Sequence, residues 1–155
     1  MAIILGVEST AHTFGIGVVK DGQVLCNIRE MYTTEFGGII PIESAKHHSE
    51  VADDVWKRAL EEAKVDEKDI SAIAFSQAPG LAPCLIEGMK FTKKKAKDLV
   101  KKLENVKALA IDTETDSLGA LTANMLGFSL SEKAGVAYYV LVDFVKEFKD
   151  ILENE

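Results

Sequence analysis

Apolar runs of strand length and long one-sided apolar stripes follow one another in the order β-β-β-α-β-α-β-β-β-α. Ile3–Glu8, Phe14–Lys20 and Val24–Thr33 read as three opening strands. Asp21-Gly22 separates the second from the third, and such a pair suits a two-residue turn whose central positions take positive φ. The opening is therefore a run of antiparallel strands. Over 41–65, Ala45, His48, Val51, Ala52, Val55, Trp56, Ala59, Leu60 and Ala63 recur at three- and four-residue steps. That spacing predicts a helix with one apolar face, and Pro41 fits its first turn, where a missing N–H costs nothing. Ile70–Phe75 reads as a short buried strand, and 83–104 as a second helix with Leu85, Met89, Ala96, Leu99, Val100 and Leu103 on one side. Strands at Ala108–Thr113, Asn124–Leu130 and Val136–Val142 precede a closing helix over 143–154.

An α/β class follows from this order. The helix over 83–104 can serve as a right-handed crossover, so Ala108–Thr113 is expected to lie parallel to Ile70–Phe75. The expectation is one continuous mixed sheet, with strand order near 3-2-1-4-5-6-7 and helices covering its faces. At 155 residues the chain suits one domain better than two. That domain is expected to combine two partial units, 1–92 and 93–155. The strands Val24–Thr33 and Val136–Val142 are the expected sheet edges, and a bare edge can recruit a second copy, so a homodimer through one edge or through the terminal helix is a candidate assembly.

Charge and cysteine usage narrow the partners. The net charge of −7 argues against nucleic acid as a partner of the whole surface, since phosphate contacts need Lys and Arg. No apolar run approaches the roughly 20 residues of a membrane span, and no cleavable leader precedes the first strand. Cys26 and Cys84 lack a neighbouring Cys or His at zinc spacing, which points to buried thiols in a reducing, cytoplasmic setting.

Two segments carry specific motifs. Gly6-Val7-Glu8-Ser9-Thr10-Ala11-His12-Thr13-Phe14-Gly15, Gly37-Gly38-Ile39-Ile40-Pro41 and the stretch from Phe75 to Pro83 resemble the start of the tRNA threonylcarbamoyladenosine transferases. These are an actin-like ATPase-fold family once called sialoglycoprotein endopeptidases. The run from Ala110 to Leu118, then Gly127-Phe128-Ser129-Leu130 and Gly135–Val140, resembles the proofreading 3′–5′ exonuclease domain of family A DNA polymerases. Both resemblances imply a ribonuclease H-like mixed sheet.

The first resemblance implies a phosphate loop at Ser9, Thr10, His12 and Thr13, with Gly80 in a second loop near the active site. Small hydroxylated residues and backbone N–H groups at such a turn suit an anion. A polar turn bonded to its own backbone explains the same residues. The family's second phosphate loop, adenosine pocket and His-x-x-x-His metal pair have no counterpart in this sequence. His47 and His48 are adjacent on a helix and diverge by about 100°, so one metal is out of their joint reach, and a packed pair is expected. In the second segment Asp112 and Glu114 alternate along a strand end and share a side, as metal-assisted phosphodiester hydrolysis needs. A solvated acidic strand end is the competing reading. The lysines between 90 and 102 read as the solvated face of an amphipathic helix.

These readings combine into one expectation, an engineered or recombined chimera without a complete active site and requiring no cofactor. The Lys-, Glu-, Leu- and Val-rich segments 93–103 and 144–154, filled as a designer fills helices, favour engineering. The alternatives are a metal-dependent nuclease that binds Mg²⁺ or Mn²⁺ weakly through Asp112 and Glu114, and a residual module that binds ATP or phosphate weakly. A tRNA-modifying activity ranks last on this reading.

Overall fold

The computed structural model describes residues 2–103, 106–118, 122–134 and 136–153, without the side chains of residues 96, 99, 100, 102 and 136. The expected stripe positions Ala96, Leu99 and Val100, together with Gly135 and Asn154, fall outside what is described. The chain divides into two compact units, Met1–Thr92 and Lys93–Glu155.

The first unit holds strands β1 (Ile3–Glu8), β2 (Thr13–Lys20), β3 (Gln23–Met31) and β4 (Ala72–Phe75), in the order β3-β2-β1-β4. The β1, β2 and β3 strands are antiparallel, and β4 joins β1 in parallel. The Asp21-Gly22 turn has positive φ at both residues, 48° and 82°, as its sequence demands. Alternation along β1 and β2 sends Leu5, Val7, Phe14, Ile16 and Val18 into the core. Helix α1 (Pro41–Ala63) covers them with Ala52, Val55, Trp56 and Ala59. Phe91, in the first half of helix α2 (Ala82–Leu103), closes the cluster edge-on to Phe14, with ring centroids 5.6 Å apart. Pro41 opens α1, and Lys64 ends it in the left-handed conformation, donating its N–H back to the last turn.

The second unit has its own antiparallel sheet, β5 (Ala110–Thr115), β6 (Met125–Lys133) and β7 (Val136–Leu141). Phe128, Leu130, Val140, Phe144 and Phe148 form its core, with Phe128 and Phe148 edge-on at 5.6 Å. Three expectations are corrected here. The single seven-stranded sheet is two sheets, and β5 pairs antiparallel with β6 instead of parallel with β4. A central parallel strand is buried on both faces and needs an apolar run. The run Asp112-Thr113-Glu114-Thr115 cannot supply one, and all six residues of β5 are exposed. The closing helix is also shorter than its stripe suggests. Val142–Phe148 winds as a 3₁₀ segment and only Lys149–Leu152 is α-helical. The segment's i→i+3 winding buries Phe144 and Phe148 in this unit's core. Among the described residues no helix is long and apolar enough to cross a membrane.

Candidate functional site

Parallel pairing of β1 and β4 puts their C-terminal ends side by side, with Val7 opposite Phe75. The loop 9–12 leaves β1 there, and the loop 76–81 leaves β4 towards α2. Ends of parallel strands are where open α/β sheets present ligands. Each residue of the first loop is tied to a different element. Ser9 is fully buried with its Oγ against Gly88 of α2, where an added Cβ would come within 2.0 Å of that oxygen. The Thr10 carbonyl accepts from the Leu81 N–H at 2.7 Å. The Ala11 carbonyl accepts from Ser44 Oγ of α1 at 2.7 Å. The His12 carbonyl accepts from the Tyr32 N–H, just past β3, at 2.8 Å. Three successive carbonyl dipoles are thus committed to the protein, which reduces their repulsion of an anion outside.

Glu8 knots the two loops. Its Oε1 accepts from the Thr10 N–H at 2.9 Å and from Thr10 Oγ1, and its Oε2 accepts from Ser76 Oγ at 2.9 Å. Ser76 also donates its N–H to the Val7 carbonyl at 3.0 Å. Partial burial pushes the Glu8 carboxyl up, but the bonds from Thr10 and Ser76 outweigh it, with a smaller pull from His48. The net result holds Glu8 below the usual carboxylate range. Gly80 fits against Thr10 only because it has no side chain. A Cβ there would lie 2.6 Å from the Thr10 carbonyl oxygen.

Of the residues singled out for phosphate, Thr10, His12 and Thr13 are half-buried in or beside the first loop, and Gly80 is exposed in the second. Thr10 and Gly80 meet across the two loops, His12 and Thr13 carry the first loop into β2, and the Ser9 hydroxyl faces inward. Glu8, Ser44, Ser76 and Gly88 were missed as site residues. A glycine inside the predicted helix 83–104 was the available signal, since helix interiors rarely keep one without a packing reason.

His48 lies fully buried beneath the first loop, tilted against Phe14 at 5.7 Å, with neither ring nitrogen hydrogen-bonded among the described residues. Burial lowers its pKa. The nearby Ala11 carbonyl, Glu8 and Glu87 pull it up, and His47 pushes it down. The folded state therefore takes up the His48 proton only below the ordinary pKa of 6.5, while the unfolded chain takes it up there. Stability from neutral His48 is full above about pH 6.5 and falls as pH drops through and below that value. Urea midpoints measured from pH 7 to 5 should fall for the parent and flatten in His48→Gln. Equal slopes in both would show that another group carries the change. Glu8 acts in a separate window, losing its contribution only below the usual 4.5.

Asp112 and Glu114 stand on exposed β5, opposite Ser129 and Gly127, with a register shift just after Glu114. No group of three or more His, Cys, Asp or Glu side chains able to hold a metal occurs among the described residues.

A family model described as TsaD, tRNA N6-adenosine threonylcarbamoyltransferase, matches residues 23–142. The chain belongs to this family. A tRNA N6-adenosine threonylcarbamoyltransferase of Thermococcus sibiricus is 54% identical over 83 residues, which are 54% of this chain and 26% of the relative. One from Caldivirga maquilingensis is 54% identical over 87 residues, 56% of this chain and 26% of the relative. One from Methanopyrus kandleri is 39% identical over 132 residues, 84% of this chain and 37% of the relative. The chain thus spans about a quarter of the length of the first two relatives. Among solved structures, YeaZ from Pseudomonas aeruginosa superposes with a TM-score of 0.51 at 13% identity, over 91% of this chain and 68% of that one. That likeness shows a mixed α/β fold of the kind found in YeaZ.

These findings overturn the chimera and nuclease readings. The family match spans residues 23–142, on both sides of the supposed join near 92 and past Asp112 and Glu114. An exonuclease origin for 103–140 is therefore not needed, and the Asp-Thr-Glu run is a polar edge strand. The three relatives above are all named for tRNA modification, the reading that the motifs alone rank last.

Proposed function

We propose that this chain carries the N-terminal part of an enzyme that transfers a threonylcarbamoyl group to N6 of a tRNA adenosine. In this reading the loops 9–12 and 76–81 hold the phosphate groups of an adenosine nucleotide, and the β3-β2-β1-β4 sheet with α1 is one ribonuclease H-like half. Thr10, His12 and Thr13 line the site, Gly80 admits the close approach of the two loops, and Ser9 supports the first loop from below. The observation that carries the reading is the 54% identity to a transferase of that name over 83 residues. The knotted loop pair supports the phosphate role, because an anion site works best when its donors need not reorganise. With a net charge of −7, tRNA contact in this reading is local to a few cationic side chains.

A hybrid tests the proposal. Residues 1–92 replace the corresponding stretch of the Thermococcus sibiricus relative, and N6-threonylcarbamoyladenosine in tRNA is measured by mass spectrometry. The expected hybrid forms product within about tenfold of the relative's rate, a change of roughly 1.4 kcal/mol in the barrier. A folded hybrid that forms none would overturn the proposal.

A further inference from the structure

We propose that Glu8 is a positioning residue that buckles the two loops together and thereby fixes the opening between them for an anion; this rests on the phosphate reading above. A carboxylate beside a phosphate site invites two other roles, general base or holder of a metal. The geometry speaks against both. Each carboxylate oxygen already accepts from a side-chain hydroxyl, Thr10 Oγ1 on one and Ser76 Oγ on the other, and Oε1 also takes the Thr10 N–H. The three donors come from both loops, so one side chain fixes their separation. Thr10 then passes the constraint on, because its carbonyl holds the Leu81 N–H at 2.7 Å. The same three bonds satisfy the Glu8 charge with donors of the protein itself.

Shape and charge can be separated, because Gln keeps the oxygen facing Thr10 and its amide can donate to the Ser76 hydroxyl. The full chain is compared with Glu8→Gln, Glu8→Ala and Ser76→Ala. The two readouts are Mg²⁺-ATP affinity by calorimetry and hydrogen exchange at the Thr10 and Leu81 amides. Glu8→Ala should weaken ATP by about tenfold or more and speed exchange at both amides, while Glu8→Gln rescues both to within about threefold. Ser76→Ala should fall between them. If Glu8→Gln binds ATP as poorly as Glu8→Ala while both amides stay protected, the charge itself is used and the buckle is wrong. Unchanged exchange in Glu8→Ala overturns it too. If the parent binds no ATP, the phosphate reading fails, and the exchange rates alone decide the buckle. If Glu8→Ala does not fold, Ser76→Ala with normal exchange at Thr10 and Leu81 overturns it.

Discussion

Gly88→Ala is expected to destabilise the first unit, although alanine is the better helix former. In an open helix the change gains about 0.5–1 kcal/mol. Here the new Cβ would stand 2.0 Å from Ser9 Oγ and 2.8 Å from Ser9 Cβ, both fully buried. Overpacking of this kind costs about 1–3 kcal/mol, so the clash outweighs propensity. A net loss of roughly 1–2 kcal/mol is expected from chemical denaturation. The cause can be isolated with Ser9→Gly, which removes both clashing atoms and a hydroxyl with no hydrogen-bond partner among the described residues. The double variant should recover most of the loss, with a coupling within the 0.5–3 kcal/mol seen for touching residues. Additive effects, or a stabilised Gly88→Ala, would mean that the loop does not seat on α2 in this way.

Gly80→Ala should cost more, because backbone cannot step aside as a side-chain tip can. Its Cβ would meet the Thr10 carbonyl oxygen at 2.6 Å and the Thr10 Cα at 3.0 Å. That same carbonyl holds the Leu81 N–H, so relieving the clash also breaks the bond between the loops. Overpacking of about 1–3 kcal/mol plus a hydrogen bond worth about 1 kcal/mol gives roughly 2–4 kcal/mol. The damage lies at the site and not in the core formed by Phe14, Val55 and Trp56. Nucleotide affinity should therefore fall further than the unfolding midpoint alone would explain. A variant with parent stability and parent affinity would show that the two loops do not meet at Gly80.

The parts of the fold that were legible in the sequence are those set by local chemistry. Asp21-Gly22 specified its turn, the 41–65 stripe specified α1, and the apolar run Ile3–Glu8 specified the strand β1. The pairing of β5 was not legible in that way. The order of elements favours a parallel crossover, and only the polarity of Asp112-Thr113-Glu114-Thr115 argues for an exposed strand. That same polarity drew attention as a metal site, because two carboxylates on one strand face look alike whether they hold an ion or water. At the candidate site the turn 9–13 was visible from its small hydroxylated residues. Its anchors were not, because Glu8, Ser44, Ser76 and Gly88 lie up to 80 positions apart and meet only when β1, α1, β4 and α2 assemble. Ser9 shows the limit most clearly, since a hydroxyl suited to a ligand by composition is buried against a helix glycine.

The most direct measurement is a Mg²⁺-ATP titration of the parent chain followed by backbone amide NMR. Saturable shifts at residues 9–13 and 76–81, lost in Gly80→Ala, are expected if the two loops form one anion site. No shift at millimolar ATP, or shifts confined to the lysines between 90 and 102, would contradict it.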